Sequence, residues 1–290
     1  MTPGLTRLVD LLTLEEVEPD RFRGVGSIDD GVEATFGGHF LGQAAAAAQA
    51  TVDDDRGIHS LHAYFLRAGE PGVPFDLEVD RVRDGRSFCT RRVRTTQQGG
   101  KLQFELLASF SVDAEGPVLD PEPPTGFADL PDPESLPTYR DLMSSQDPLP
   151  LPESWALREL GVDIRTVNAP WAPSGVFDQG GIRIWIRADE ALPDDPRLHA
   201  SLLAYQSDES LADCVAAPFG ATWGTPGVVF VSLDHALWYH RPFRMDEWLF
   251  VDQEPITVGR ARGRAAATVW NASGEMVASF TQEALLRLPD

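Results

Sequence analysis

The sequence predicts an α+β protein made of two tandem units, each a long helix wrapped by an antiparallel sheet. Three observations carry this expectation. Positions 58–112 return in altered form at 232–282. At a constant offset of 174, Tyr64-Phe65 meets Trp238-Tyr239, Arg67 meets Arg241, Gly85-Arg86 meets Gly259-Arg260 and Gly100 meets Gly274. Past a length change of four, Ala108-Ser109-Phe110-Ser111 meets Ala278-Ser279-Phe280-Thr281, as a duplicated domain would. Each copy also holds apolar or alternating segments punctuated by glycine, the pattern of antiparallel strands. A run of small residues ahead of the first set predicts a helix that lies close to its neighbours.

In chain order, Leu5, Leu8, Val9 and Leu12 fall at helical spacing and predict a short opening helix, followed by strand-like sequence near Phe22. Phe36-Gly37-Gly38 leads through Leu41-Gly42-Gln43 into Ala44–Ala48. A buried helix is expected there, since alanine favours helix and leaves little bulk on its surface. Strands are expected near 58–67, 73–83, 87–97 and 102–112, with Gly99-Gly100 as a hairpin turn. From Gly116 to Pro152, ten prolines and scattered acidic residues break all periodicity. This segment reads as a linker along the surface, with a helical piece from Tyr139 to Met143. The second copy starts near Trp155. It has a strand at Ile182–Arg187, a helix opened by Pro193-Asp194-Asp195-Pro196 and continued by Leu198, Leu202 and Tyr205, and strands near 228–241, 247–258, 260–270 and 275–287. The units are accordingly set at 1–115 and 153–290, with the linker at 116–152.

A formal charge of -21 and a pI near 4.5 argue against a nucleic-acid partner, because so acidic a surface repels phosphate backbones. One basic cluster stands out: Arg81, Arg83, Arg86, Arg91, Arg92 and Arg94. It reads either as the solvated face of a hairpin or as a dock for a small phosphorylated ligand. The cysteines, Cys89 and Cys214, fall one per copy with no CxxC, which suits a reducing compartment. No run of 18 apolar residues and no signal-like start are found, so a soluble, cytoplasmic protein without a membrane span is expected. Six histidines form neither HExxH nor a Cys/His cluster, and no metal is expected. His59 and His62, three apart on a strand, are expected on opposite faces. His235 and His240 read as packed, hydrogen-bonded residues.

Arg83-Asp84-Gly85-Arg86-Ser87-Phe88, Phe36-Gly37-Gly38, the stretch from His59 to Arg67 and, most specifically, that from Asp234 to Phe243 resemble the bacterial acyl-CoA thioesterase II family. The resemblance covers nearly the whole chain outside the linker. It implies a double hotdog, two hotdog units in one polypeptide imitating the dimer of single-unit relatives. It also implies hydrolysis of fatty acyl-CoA to free fatty acid and CoA without a cofactor, a first unit that serves as scaffold and acyl-tunnel wall, and assembly into a homodimer or larger homo-oligomer. Catalysis in that family resides in an Asp, a Thr or Ser, and a Gln of the second unit. The matching positions are Asp208 in Tyr205-Gln206-Ser207-Asp208, Ser232 in Val231-Ser232-Leu233-Asp234, and Gln282 in Phe280-Thr281-Gln282-Glu283. His39 departs from the pattern, standing where Phe-Gly-Gly is usually followed by Gln.

The residues can also be weighed without the family. Asp208 follows an apolar helical stripe and is expected inside the helix, where neither propensity nor the macrodipole favours it. Ser232 closes the apolar run Val228-Val229-Phe230-Val231, where a lone hydroxyl is more often a hydrogen-bonded core residue than a catalytic one. Alternation puts Gln282 on the face of Phe280, Ala284 and Leu286, so a buried amide must find partners there. For the thioester hydrolysis that the resemblance implies, Asp208 is expected to act as general base, with Ser232 and Gln282 positioning the attacking water and backbone N–H groups at a helix start receiving the oxyanion. A covalent serine mechanism competes with this reading, although Ser232 lies in no GxSxG context. Two alternatives remain at the level of function. One is an acyl-CoA dehydratase or hydratase of the same fold, which would want a His/Asp pair on the central helix that His199 and Asp208 are poorly spaced to form. The other is a non-catalytic acyl-CoA-binding module.

Overall fold

Glycine-punctuated alternation folds here into one continuous antiparallel sheet, with two helices packed against each other beneath its centre. The computed structural model describes residues 1–26, 34–147, 153–168, 181–222 and 225–289. The first half contains α1 (Pro3–Leu12), β1 (Glu15–Glu18), β2 (Arg21–Gly24), α2 (Gly37–Ala50), β3 (Arg56–Phe65), β4 (Phe75–Asp84), β5 (Phe88–Gln97) and β6 (Lys101–Val112). After it come α3 (Tyr139–Ser144), α4 (Glu153–Ala156), β7 (Val162–Asn168), β8 (Ile182–Ala188), α5 (Pro196–Gln206) and α6 (Asp213–Ala216). The last strands are β9 (Val229–Ser232), β10 (Asp234–Tyr239), β11 (Leu249–Gly259), β12 (Arg262–Asn271) and β13 (Met276–Arg287).

The strand order is β1-β2-β4-β5-β6-β3-β10-β13-β12-β11-β8-β7, with β9 also paired to β13. Outward from the β3/β10 seam the two sides mirror each other, β3, β6, β5 and β4 answering β10, β13, β12 and β11. At the seam Leu61 faces Leu237, His62 faces Ala236 and Ala63 faces His235. His62 and Ala236 are themselves 174 positions apart, so the rotation relating the halves passes through that pair. The equivalent side chains Arg67 and Arg241 donate to the equivalent carbonyls of Leu102 and Met276.

The same offset continues to the last strand. Arg91 faces Ala108 as Ala265 faces Gln282, and the bulge between Arg81 and Arg83 recurs between Pro255 and Thr257. The alignment of Ala108–Ser111 with 278–281 across a length change of four is therefore out of register. Four positions are two pleats, so an alternating strand shifted by four presents the same faces, and sequence alone does not separate the two alignments. A bulge between Ile58 and Ser60 resets the alternation in β3. As a result His59, bonded to Ser109 Oγ at 2.9 Å, shares the outer face with His62, whose ring meets Trp238.

Helix α2 is almost wholly buried, and its small residues admit α5. A Cβ at Gly42 would lie 3.0 Å from Tyr205 Cβ. Gln49 Nε2 donates across the same interface to Ser201 Oγ at 2.8 Å and to the Arg197 carbonyl at 3.1 Å. Helix α5 starts as its sequence predicts, with the Asp195 side chain accepting from the Arg197 N–H and Pro196 in the first turn. The proline-rich connection lies on the outer face of the second half, where Phe127, Leu130 and Leu136 cover Trp185, Phe250 and Trp270. Its helix α3 sits where expected, started by a capping box between Thr138 and Asp141. Residues 148–152, the end of the expected linker, lie outside the described residues.

Candidate active site

Three separate elements bring the singled-out polar residues together. Asp208 does not lie inside α5, as its sequence context suggests. The helix ends at Gln206 with Ser207 as C-cap, and the carboxylate follows in the turn. Ser232 ends β9, and Gln282 lies mid-strand in β13 on the buried face that alternation predicts. Asp208 Oδ1 accepts from Gln282 Nε2 at 2.9 Å and from Ser232 Oγ at 3.3 Å, and Gln282 Nε2 also donates to Ser232 Oγ at 2.6 Å.

A bulge makes this convergence possible. Ser232 faces Ala284 whereas Ala236 faces Thr281, so one extra residue is taken up around Leu233. It occupies the position equivalent to the bulge in β3. Residues three apart on a regular strand point to opposite faces, but here Ser232 and His235 both reach Gln282. The segment 228–241, which reads as one strand, is broken at this point into β9 and β10.

Helix α2 approaches Asp208 end-on. Its N-cap, Phe36, offers no side-chain hydrogen bond, and the Gly38 N–H bonds to the Asp208 carboxylate instead. A Cβ at Gly37 would lie 2.3 Å from Asp208 Oδ2, so the glycine is what lets the carboxylate sit against the helix start. Burial pushes the Asp208 carboxyl up to about 7. Hydrogen bonds from Gln282, Ser232 and Gly38 pull the other way, and the neighbouring Glu209 charge adds to the rise. Glu209 pairs with Arg158 at 2.5 Å.

Beside Asp208 opens a cavity of about 500 Å³. Its walls are mostly apolar, with Phe36, Phe40 and Phe65 from the first half and Met143, Ile184 and Phe230 from the second, while Asp208 and Ser232 stand on its lining. A long apolar chain with a polar, reactive end suits such a space.

Sequence reasoning missed His235 and Ser207 as parts of this cluster. His235 Nδ1 meets Gln282 Oε1 at 2.8 Å and its Nε2 meets Ser207 Oγ at 2.9 Å. Burial lowers this histidine to about 4, so the ring is neutral. Only the bulge discloses the contact. In the basic cluster Arg81, Arg83, Arg86 and Arg92 are exposed on the β4–β5 hairpin, as the solvated-face reading expects. Arg81, Arg92 and Arg94 pair with Asp20, Asp80 and Glu78, whereas Arg91 is buried and bonds to Thr51 and Asp84. His199, which the dehydratase alternative would need, instead accepts from the Met245 N–H.

Comparison with known proteins gives a consistent result. A family model described as the acyl-CoA thioesterase N-terminal domain matches residues 27–111, and one described as the acyl-CoA thioesterase C-terminal domain matches residues 131–286. Acyl-coenzyme A thioesterase 8 of Mus musculus is 31% identical over 97% of this chain and 89% of its own length. Acyl-CoA thioesterase 2 of Haemophilus influenzae is 29% identical over the full length of both. Among solved structures, an acyl-CoA thioesterase II from Mycobacterium marinum superposes with a TM-score of 0.76 at 33% identity, covering 97% of this chain and 98% of the other. A protein of unknown function with a hot dog fold from Alicyclobacillus acidocaldarius superposes at 0.74 with 18% identity over 98% and 99% of the two chains, a likeness of fold alone.

Proposed function

The chain belongs to the acyl-CoA thioesterase II family and is an acyl-CoA thioester hydrolase, and from that premise we propose that Asp208 activates the water that cleaves the thioester. The observation that carries this reading is the meeting of Asp208, Ser232 and Gln282, from a turn and two strands, at the edge of an apolar cavity.

In this mechanism the water gives a proton to Asp208 while its oxygen attacks the thioester carbonyl carbon. The tetrahedral oxyanion forms against the first turn of α2, where the Gly37 N–H and the helix dipole lie close while the Gly38 N–H stays on Asp208. Collapse breaks the C–S bond, the thiolate of CoA takes the proton from Asp208, and the free acid leaves. A base that titrates near 7 can both accept and return that proton at neutral pH. Gln282 and Ser232 keep the carboxylate ionised and oriented.

The molecule reads as a double hotdog with units at 1–115 and 153–290. The mirrored strand order and the constant offset support this reading. Fatty acyl chains suit the apolar walls of the cavity, which the first unit helps to form. Two buried free thiols favour a reducing, cytoplasmic setting, and a homodimer or larger assembly is the expected form.

The test is thiol release from a panel of acyl-CoAs, followed with a chromogenic reagent. Asp208→Asn should fold and lose at least about a hundredfold in kcat, and near-native turnover by the folded variant would remove Asp208 from the role of base. The hydrogen bond from Ser232 Oγ to Asp208 Oδ1 also fits a serine nucleophile with a carboxylate base. Rapid-quench mass spectrometry separates the two. Water attack leaves the protein mass unchanged, and an acyl adduct on Ser232 would establish covalent catalysis.

A further inference from the structure

The Gln282 amide has two ends of nearly equal shape and opposite polarity, and which end faces Asp208 decides whether the base meets a donor or an acceptor. We propose that His235 is a positioning residue that fixes this choice: its Nδ1–H, donated to Gln282 Oε1, holds Nε2 of the same amide on Asp208 and Ser232. The proposal rests on the reading of Asp208 as base.

The argument is a count of protons. The amide nitrogen lies 2.9 Å from Asp208 Oδ1 and 2.6 Å from Ser232 Oγ, and it has two hydrogens, one for each. Ser232 has a single hydroxyl proton and gives it to Asp208 Oδ1. The amide oxygen, 2.8 Å from His235 Nδ1, has only lone pairs to offer, so Nδ1 must carry the proton of the neutral ring. His235 Nε2 is then bare and takes the Ser207 hydroxyl proton over 2.9 Å. That hydroxyl also lies 2.9 Å from the Ala204 carbonyl, a competing acceptor.

The opposite tautomer satisfies Ser207, whose hydroxyl can donate to Ala204, and fails at the amide. A proton on Nε2 would turn the Ser207 hydroxyl onto Ala204 and leave a bare Nδ1 facing the Gln282 oxygen. Flipping the amide would relieve that repulsion but would press an oxygen against the Asp208 carboxylate, which only a protonated, inactive Asp208 could tolerate. Ser207 is the residue before Asp208, so the chain of bonds from Ser207 through His235 and Gln282 ends on the turn from which it started. His235 is 0% exposed and is absent from the cavity lining, which separates it from any contact with substrate.

Other charges around Asp208 do not supply this orientation. Glu209 on the same turn is paired with Arg158, and Asp213 on α6 and Arg67 after β3 line the same cavity. None of them is hydrogen-bonded to the Gln282 amide among the described residues.

Four full-length proteins test the proposal: wild type, His235→Asn, His235→Gln and His235→Phe. The Asn amide nitrogen overlies Nδ1 and keeps the donor, and the Gln amide nitrogen overlies Nε2 and keeps only the Ser207 contact. Loss of a hydrogen bond to a charged group predicts that His235→Gln and His235→Phe lose about 10- to 100-fold in kcat with KM little changed, and that His235→Asn recovers to within about threefold of wild type. The acid limb of kcat/KM should move to higher pH in the two impaired variants, because Asp208 loses a donor that lowers its pKa. A merely structural role would not move that limb. Should His235→Phe fail to fold, the Asn and Gln variants retain the contrast. Equal activity of these two, or an unmoved acid limb in His235→Gln, overturns the proposal. ¹⁵N NMR of the imidazole gives a readout independent of turnover: the Nδ1–H tautomer is expected, and the Nε2–H tautomer overturns the proposal. Asp208→Asn assayed in parallel tells the two failures apart, since near-native turnover there would sink the base assignment itself.

Discussion

Asp208 is held as a reluctant anion, and the cost should be measurable as stability. Its folded pKa of about 7 stands above the ordinary 3.8. Below about pH 4 the carboxyl is protonated in folded and unfolded chains alike, and it imposes no penalty. As pH rises from about 4 to 7 the unfolded chain ionises first and folding loses stability, with the full penalty present above 7. Three pKa units correspond to an upper limit of about 4 kcal/mol. Asp208→Asn should therefore melt above wild type at pH 8 and much closer to it at pH 5, measured by thermal denaturation at both values. The lowered pKa of His235 has the opposite sign, its stabilisation present above 6.5 and lost as pH falls through about 4, but it is common to both proteins and cancels in the difference. An equal gap at the two pH values would mean that Asp208 ionises as an ordinary carboxylate. At this scale Gln282 was legible because period-2 alternation names a face. His235 was not, because one extra residue near Leu233 inverts that parity without a mark in the sequence.

Most helices and strands could be read from spacing and punctuation. The opening helix, the alanine helix and the Asp195 N-cap all carry strong local signals, whereas a bulge is set by pairing with a distant strand. The β11–β12 hairpin shows a local signal that is absent from the sequence. Gly259 pairs with Arg262, so Arg260 and Ala261 alone form the turn, with φ of 55° and 58°. Two left-handed residues make a type I′ turn, which Asn-Gly suits far better than Arg-Ala. The double substitution Arg260→Asn with Ala261→Gly should raise stability by about 1 kcal/mol with turnover unchanged, as read from chemical denaturation and the thiol assay. A loss of stability would mean that Arg260 or Ala261 makes contacts worth more than the strain.

Across the whole molecule the repeat supplies the frame, and divergence within it supplies the site. At the offset of 174, Ser232, His235 and Gln282 correspond to Ile58, Leu61 and Ala108, all buried and apolar. At the end of α2, Arg91 from the first half and Arg197 from the second bond to the carbonyls of Thr51 and Val52. That locus is closed by arginines and, among the described residues, carries no counterpart of the network around Asp208. Calorimetric titration with a non-hydrolysable acyl-CoA analogue should therefore give one equivalent per chain, and two equivalents would show that the first half keeps a site of its own. The duplication was visible from glycines and aromatics held in register; the difference between the two loci was not, because it depends on which buried faces meet. Helix α2 comes from the first half and Asp208 from the second, so the proposed reaction centre straddles the seam. In a pair of separate chains such a centre would exist only at concentrations that hold the pair together. Here the proline-rich tether makes the encounter intramolecular, at an effective concentration on the order of millimolar, and dilution does not take the centre apart.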